Sequence, residues 1–200
     1  MSRNFLYAEK SHREWPERPL PNGKSWQRIT SVFRVTYWNK SELMIFATVG
    51  TQVPFDRFVK AVDEIAPEIG EPIIAQTIGC TYQAKNIETV GLLSPDEFNK
   101  IFDAARLIVA HAGMGTILSA LTRQKPIIVM PRLAAYKEHR NDHQISTAMK
   151  LHELGYIHVA YDNLQLRRLM CDPTVVPIKT IGDRASDRLA LSIFDFITQG

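Results

Sequence analysis

Leu107-Ile108-Val109-Ala110-His111-Ala112-Gly113-Met114-Gly115-Thr116 is the stretch whose reading decides the fold. Four apolar residues predict a buried strand, and two glycines predict a tight turn. Thr116 then opens the helical spacing Ile117, Leu118, Leu121. A strand, a glycine loop and a helix N-terminus in that order turn free backbone N–H groups and the positive end of a helix dipole toward one point, which suits an anion. The stretch reads as a diphosphate seat. A Gly-x-Gly by itself is also compatible with a plain strand-to-helix turn.

The same alternation extends outward in both directions. Leu43 to Val49 reads as a strand, Gly50-Thr51-Gln52 as a turn, and Phe55, Phe58, Val59, Val62, Ile65, Ala66 and Ile69 fall at helical spacing. Pro72 to Thr77 and Asn86 to Val90 read as strands. Ser94-Pro95-Asp96-Glu97 combines an N-cap, a proline at the first helical position and a carboxylate at the third, so a helix starts there and runs to about Arg106. Ile127 to Met130 is a further strand. A polar loop from Arg132 to Arg140 leads to a helix over Asp142 to Leu154, then a strand over Tyr156 to Ala160, and helical patterns at Leu164 to Met170 and Arg184 to Thr198. Strands alternating with helices predict a parallel α/β sheet of Rossmann-like type, covered on both faces. Ligands of such sheets bind beyond the carboxyl ends of the strands, where loops 50–54, 111–115 and 131–141 fall.

Composition narrows the function class. The 200 residues, 45% hydrophobic, suffice for one domain with an appendage. The net charge of +3 comes from residues 1–43, which hold eight Lys/Arg against four Glu. The remainder is close to neutral, and no nucleic-acid surface is expected on it. Cys80 and Cys171 lie far apart without metal spacing, which suits free thiols in a reducing cytosol. No run approaches a membrane span. Residues 1–43 carry Trp15, Trp26 and Trp38 with little periodicity and are expected to be poorly ordered. They read either as a docking surface or as an extension upstream of a start at Met44, with 44–200 as the folded domain.

Three segments in order resemble the C-terminal, donor-binding domain of glycosyltransferase family 28, the donor half of a GT-B enzyme: His111 to Thr116, Lys125 to Pro131, and Glu138-His139-Arg140-Asn141-Asp142-His143-Gln144. The opening Met44 to Thr51 is similar to the start of its single-domain members. These are the soluble subunit of the dolichol-linked N-acetylglucosamine transferase and bacterial subunits of exopolysaccharide and capsule synthesis. The resemblance implies an inverting, metal-independent hexosyltransferase that uses a UDP-sugar as donor substrate, without cofactor. No Asp-x-Asp metal motif occurs.

The resemblance also distributes roles. Gly113, Met114, Gly115 and Thr116 would face the diphosphate, and Gly50 and Thr51 would close over it. His111 would be catalytic, stabilising charge on the departing UDP; its plainer reading is a satisfied strand-end histidine. Glu138, Arg140, Asp142, His143 and Gln144 would hold the donor sugar, although Asp142 is equally a helix cap. Lys137, His139 and Arg140 are either a solvated loop or a preference for an acidic sugar such as a uronic acid. Ser119 stands where many relatives place a Glu on the ribose, and the backbone near Gly91-Leu92-Leu93 would meet the uracil.

A complete enzyme of this architecture needs an acceptor-binding half. The resemblance therefore implies a membrane-anchored partner subunit presenting a lipid-linked saccharide acceptor in surface polysaccharide synthesis. The chain would then sit in the cytoplasm, peripheral to the membrane. The apolar pattern Leu189, Ala190, Leu191, Ile193, Phe194, Ile197 is a docking face or packs on its own sheet. Two other readings stay open: a non-catalytic nucleotide-sugar binding module, and a dinucleotide-binding oxidoreductase. The last is disfavoured because Gly50-Thr51 does not extend to Gly-x-Gly-x-x-Gly.

Overall fold

The computed structural model describes residues 43–179. The tryptophan-containing leader and the apolar pattern beyond Arg184 lie outside the described residues. Among the described residues, six strands and five α-helices follow in order: β1 (Ile45–Thr48), α1 (Asp56–Ile69), β2 (Ile73–Gln76), β3 (Glu88–Val90), α2 (Pro95–Ala104), β4 (Leu107–His111), α3 (Met114–Thr122), β5 (Ile127–Met130), α4 (His143–Glu153), β6 (His158–Val159) and α5 (Asn163–Cys171). The strands form one sheet in the order β3-β2-β1-β4-β5-β6, and every pair is parallel.

The four inner strands β2, β1, β4 and β5 bury both faces, which is why β1, β4 and β5 read as unbroken apolar runs. Ile45 and Ala47 pack with Val59, Ile65, Leu166 and Met170 from α1 and α5. Phe46 points the other way, onto Ile101, Phe102, Ile117, Leu121 and Ala148 from α2, α3 and α4. Helices on both faces with this strand order place a switch point between β1 and β4. There the chain leaves β1 toward one face and β4 toward the other, and a crevice opens between the two loops.

Local chemistry sets the element ends. The Ser94 hydroxyl accepts the Glu97 N–H at 3.3 Å, and the Glu97 carboxylate accepts the Ser94 N–H at 2.9 Å, so α2 starts on a reciprocal capping box behind Pro95. Pro67 lies inside α1 and has no N–H for the carbonyl of Asp63. The Asn86 side-chain amide donates to that carbonyl at 3.1 Å instead. The Asp63 carboxylate, 1% exposed, accepts from the Tyr82 hydroxyl and from the N–H groups of Lys85 and Asn86. Asp56 accepts the N–H groups of Thr81 and Tyr82 in the same way. Two carboxylates of α1 thereby hold down the long connection from β2 to β3.

Candidate active site

A cavity of about 760 Å³ opens at the switch point. Its middle is formed by the β4–α3 bend. Gly113 caps α3 without any side-chain hydrogen bond, and the helix has no carboxylate in its first turn. Met114, Gly115 and Thr116 line the cavity. Their N–H groups, at the start of the helix, have no intrahelical acceptor. The first helical bond near this end is donated by Ile117 to the Gly113 carbonyl at 3.1 Å. A Cβ added to Gly115 would meet nothing within 4 Å, so the approach to this helix end is open.

His111, the last residue of β4, turns its ring across the gap between the two loops. A Cβ on Gly113 would fall 2.2 Å from His111 Nε2, and one on Gly50 would fall 2.6 Å from Cε1. Both positions must be glycine for the ring to fit, and Gly50 also has a φ of +76°. The glycine at 113 thus serves the imidazole before it serves any ligand. Burial lowers the His111 pKa to about 4, helped by the nearby positive charge of Arg132 and opposed by the Thr48 backbone. The ring is neutral at pH 7. Its Nδ1 is buried and has no hydrogen-bond partner among the described residues.

Arg132 was legible in the sequence only as the first residue of a polar loop, and it proves central. The side chain is 2% exposed and lines the cavity. Its guanidinium donates to the carbonyls of Val49 at 2.9 Å, Val53 at 2.5 Å, Pro54 at 2.7 Å and Glu138 at 3.4 Å. Its carbon lies 4.6 Å from the Phe55 ring centroid. Burial lowers its pKa and Glu138 raises it, but a guanidinium stays charged throughout the physiological range. One side chain therefore ties the β1–α1 loop to the end of β5 and sets a fixed positive charge in the wall. Among the described residues, no aspartate or glutamate lines the cavity.

The predicted site residues divide accordingly. Gly50, Thr51, His111, Gly113, Met114, Gly115, Thr116, Ser119, His143 and Gln144 all line the cavity. Glu138, Arg140 and Asp142 do not. The Glu138 carboxylate is held by the Arg57 guanidinium at 2.7 and 2.8 Å and accepts the Leu133 N–H at 2.9 Å. Asp142 accepts the N–H of Ala134 at 2.8 Å, and Arg140 is exposed. Both carboxylates are spent on folding the β5–α4 loop. Gln144 is 6% exposed and accepts the Arg132 backbone N–H at 3.1 Å through Oε1, which fixes its amide in the wall. His139 joins the lining and stacks edge-on against His143 with ring centroids 4.5 Å apart. Gln76, Phe98 and Asn99, which carry no motif in the sequence, line the cavity as well.

The two ends of the cavity differ in chemistry. Leu93, Phe98 and Asn99 offer apolar faces with an amide; His143, Gln144 and Thr147 offer a polar wall. Helices α2, α3 and α4 pack on one face of the sheet and lead into β4, β5 and β6, neighbours in that order, so the α3 N-terminus lies between the two ends. Such a sequence of surfaces suits a flat heterocycle, a diphosphate and a polyol in line. Among the described residues, no group of three His, Cys, Asp or Glu could hold a metal ion, and no helix is long and apolar enough to cross a membrane.

The family model of the glycosyltransferase family 28 C-terminal domain matches residues 44–169. No curated protein matches. Among solved structures, the NMR solution structure of ALG13 is 23% identical with a TM-score of 0.51, over 78% of this chain and 94% of that one. The Streptomyces sp. SF2575 glycosyltransferase SsfS6, complexed with thymidine diphosphate, is 20% identical with a TM-score of 0.51, over 86% of this chain and 46% of that one. Arabidopsis thaliana UGT89C1, complexed with UDP-L-rhamnose, is 15% identical with a TM-score of 0.54, over 79% of this chain and 42% of that one. The chain spans less than half the length of the two nucleotide-bound proteins. At these identities the likeness concerns the fold, a Rossmann-like α/β domain found in GT-B glycosyltransferases.

Proposed function

Since the chain belongs to the glycosyltransferase family 28 C-terminal domain family, we propose that it is the donor-binding part of an inverting hexosyltransferase. Its donor is a UDP-sugar, carrying a hexose or a uronic acid. The acceptor is a lipid-linked saccharide presented by a membrane-anchored partner subunit, which places the chain on the cytoplasmic face of the membrane in surface polysaccharide synthesis.

One observation supports this reading: a crevice at the switch point whose centre is an uncapped helix N-terminus beside a buried guanidinium, with no carboxylate in its walls among the described residues. The diphosphate lies across the N–H groups of Met114, Gly115 and Thr116, with the Thr116 hydroxyl beside them. Arg132 acts through its field, because four of its N–H groups are engaged by carbonyls. Both sources of positive potential are fixed before the reaction, so they stabilise the charge that grows on the leaving diphosphate without reorganisation. His111 assists as a neutral imidazole that donates a hydrogen bond, since its depressed pKa keeps the ring uncharged.

In the transfer itself, the acceptor hydroxyl oxygen forms a bond to the anomeric carbon as the bond from that carbon to the β-phosphate oxygen breaks. The electron pair leaves with UDP. A base takes the hydroxyl proton, and we place that base on the acceptor-binding polypeptide. His143 and Gln144 steady the sugar from the far wall; Glu138, Arg140 and Asp142 support that wall without touching the donor.

Calorimetric titration of the purified chain with UDP and with NAD tests the donor assignment, and a screen of UDP-hexoses and UDP-hexuronic acids with membranes from the source cell tests the transfer. Saturable binding of UDP with no heat from NAD is expected. Saturation by NAD with indifference to UDP would return the chain to the oxidoreductase class, and UDP binding without transfer to any membrane acceptor would leave a binding module.

A further inference from the structure

Gln76 ends β2 directly beside Thr48, its register partner at the end of β1. The Gly50 N–H donates to Thr48 Oγ1 at 3.1 Å, and the hydroxyl in turn donates to Gln76 Oε1 at 2.9 Å. In this arrangement Oε1 takes the hydroxyl proton, and Nε2 is left as a two-proton donor. Gln76 is only 2% exposed and its side chain lines the cavity. Nε2 makes no hydrogen bond among the described residues and faces the cavity, where a ligand oxygen can take its protons. The side chain therefore holds an unspent donor at the floor of the cavity, in a fixed orientation.

Its position within the cavity identifies what it meets. The strand neighbour on its outer side is β3, paired Gln76 to Val90, and the chain beyond β3 supplies Leu93 and Phe98 to the cavity. Gln76 thus belongs to the end walled by Leu93, Phe98 and Asn99, away from His143 and Gln144. With the diphosphate over α3 in the middle, the polar end takes the sugar, and the apolar end takes the nucleoside, whose ring needs flat apolar contacts and a few edge hydrogen bonds.

We infer that Gln76 is a specificity-determining residue of the donor site, whose Nε2 amide donates to an oxygen of the donor's nucleoside half, with Thr48 and Gly50 holding the amide in that orientation. The inference rests on the donor reading given above. It assigns Gln76 to the nucleoside and not to the diphosphate, and the two ligand fragments separate these.

Calorimetric titrations of the full chain with UDP and with inorganic pyrophosphate, each repeated on Gln76→Leu, provide the test. Loss of one neutral hydrogen bond to the nucleoside is expected to raise the Kd for UDP about tenfold while the Kd for pyrophosphate stays unchanged. Equal weakening of both ligands would mean that Gln76 only shapes the phosphate seat, and unaltered UDP binding would remove it from the site; either overturns the inference. Should Gln76→Leu fail to fold, Gln76→Glu keeps an oxygen for the Thr48 hydroxyl and replaces only the donor, with the same selective loss expected. A wild-type chain that binds neither ligand would sink the donor reading itself, and this inference with it. A wild-type chain that binds UDP while the variants bind it equally well would sink the inference alone.

Discussion

The imidazole of His111 occupies the space that a side chain on Gly113 would need, with Nε2 2.2 Å from the place of a Cβ. Gly115, two residues on, has open space where its Cβ would go. The two glycines of the loop therefore have different reasons to be glycine. Gly113→Ala is expected to displace the ring and destabilise the protein by about 1–3 kcal/mol, as overpacking does. Gly115→Ala is expected to fold normally, since alanine suits the first turn of a helix, and to weaken UDP by crowding the phosphate approach. Urea unfolding together with UDP titration of the two variants checks this separation.

Stability should depend on pH through His111. Its folded pKa, about 4, lies below the ordinary histidine value of 6.5. Between these values the unfolded chain takes up a proton that the folded chain refuses, so stability falls as pH drops from 6.5 to 4. The shift corresponds to a loss of about 3 kcal/mol across that window. His111→Asn removes the titrating group and is expected to flatten this part of the profile, which unfolding midpoints measured from pH 4 to pH 7 would reveal. Transfer at neutral pH should show no inflection near 6.5 attributable to this ring.

Arg132 is expected to resist its conservative replacement. Four carbonyls converge on a planar fork, and an ammonium has only three donors and no plane. Arg132→Lys keeps the charge but releases the β1–α1 loop, so UDP should bind about tenfold more weakly, with a loss of about 2 kcal/mol in stability. Full UDP affinity in this variant would show that charge alone suffices.

The ion pair between Arg57 and Glu138 is half-shielded, with side-chain exposures of 23% and 10%. Glu138→Ala removes this pair and the acceptor of the Leu133 N–H, which is expected to cost about 1–3 kcal/mol. A double-mutant cycle with Arg57→Ala should show a coupling energy of about 1 kcal/mol or more. Additive single effects would mean that the pair is incidental.

The fold was legible because its signals are local. The capping box at Ser94 lies within a few residues of the helix start it sets, and the apolar runs of β1, β4 and β5 stand out because both faces are buried. Half of the site was legible for the same reason: the β4–α3 bend carries its own chemistry in consecutive residues. Glu138 and Asp142 were placed on the donor because they stand beside Gln144 in the sequence. Their actual partners, Arg57 and Ala134, are decided by how the loop folds back. Arg132 and Gln76 were missed for a related reason. The carbonyls of Val49 and Val53 lie about eighty positions from Arg132, and a glutamine at the end of an apolar strand carries no pattern that distinguishes it from an ordinary edge residue. Long-range pairing of this kind leaves no periodicity to read.

The most direct measurement is an amide NMR titration of the full chain with UDP. Saturable shifts centred on the N–H signals of Met114, Gly115 and Thr116, extending to Gly50, are predicted. UDP that leaves those amides unmoved, whether it binds elsewhere on the chain or not at all, would contradict the assignment of this helix end as the diphosphate seat.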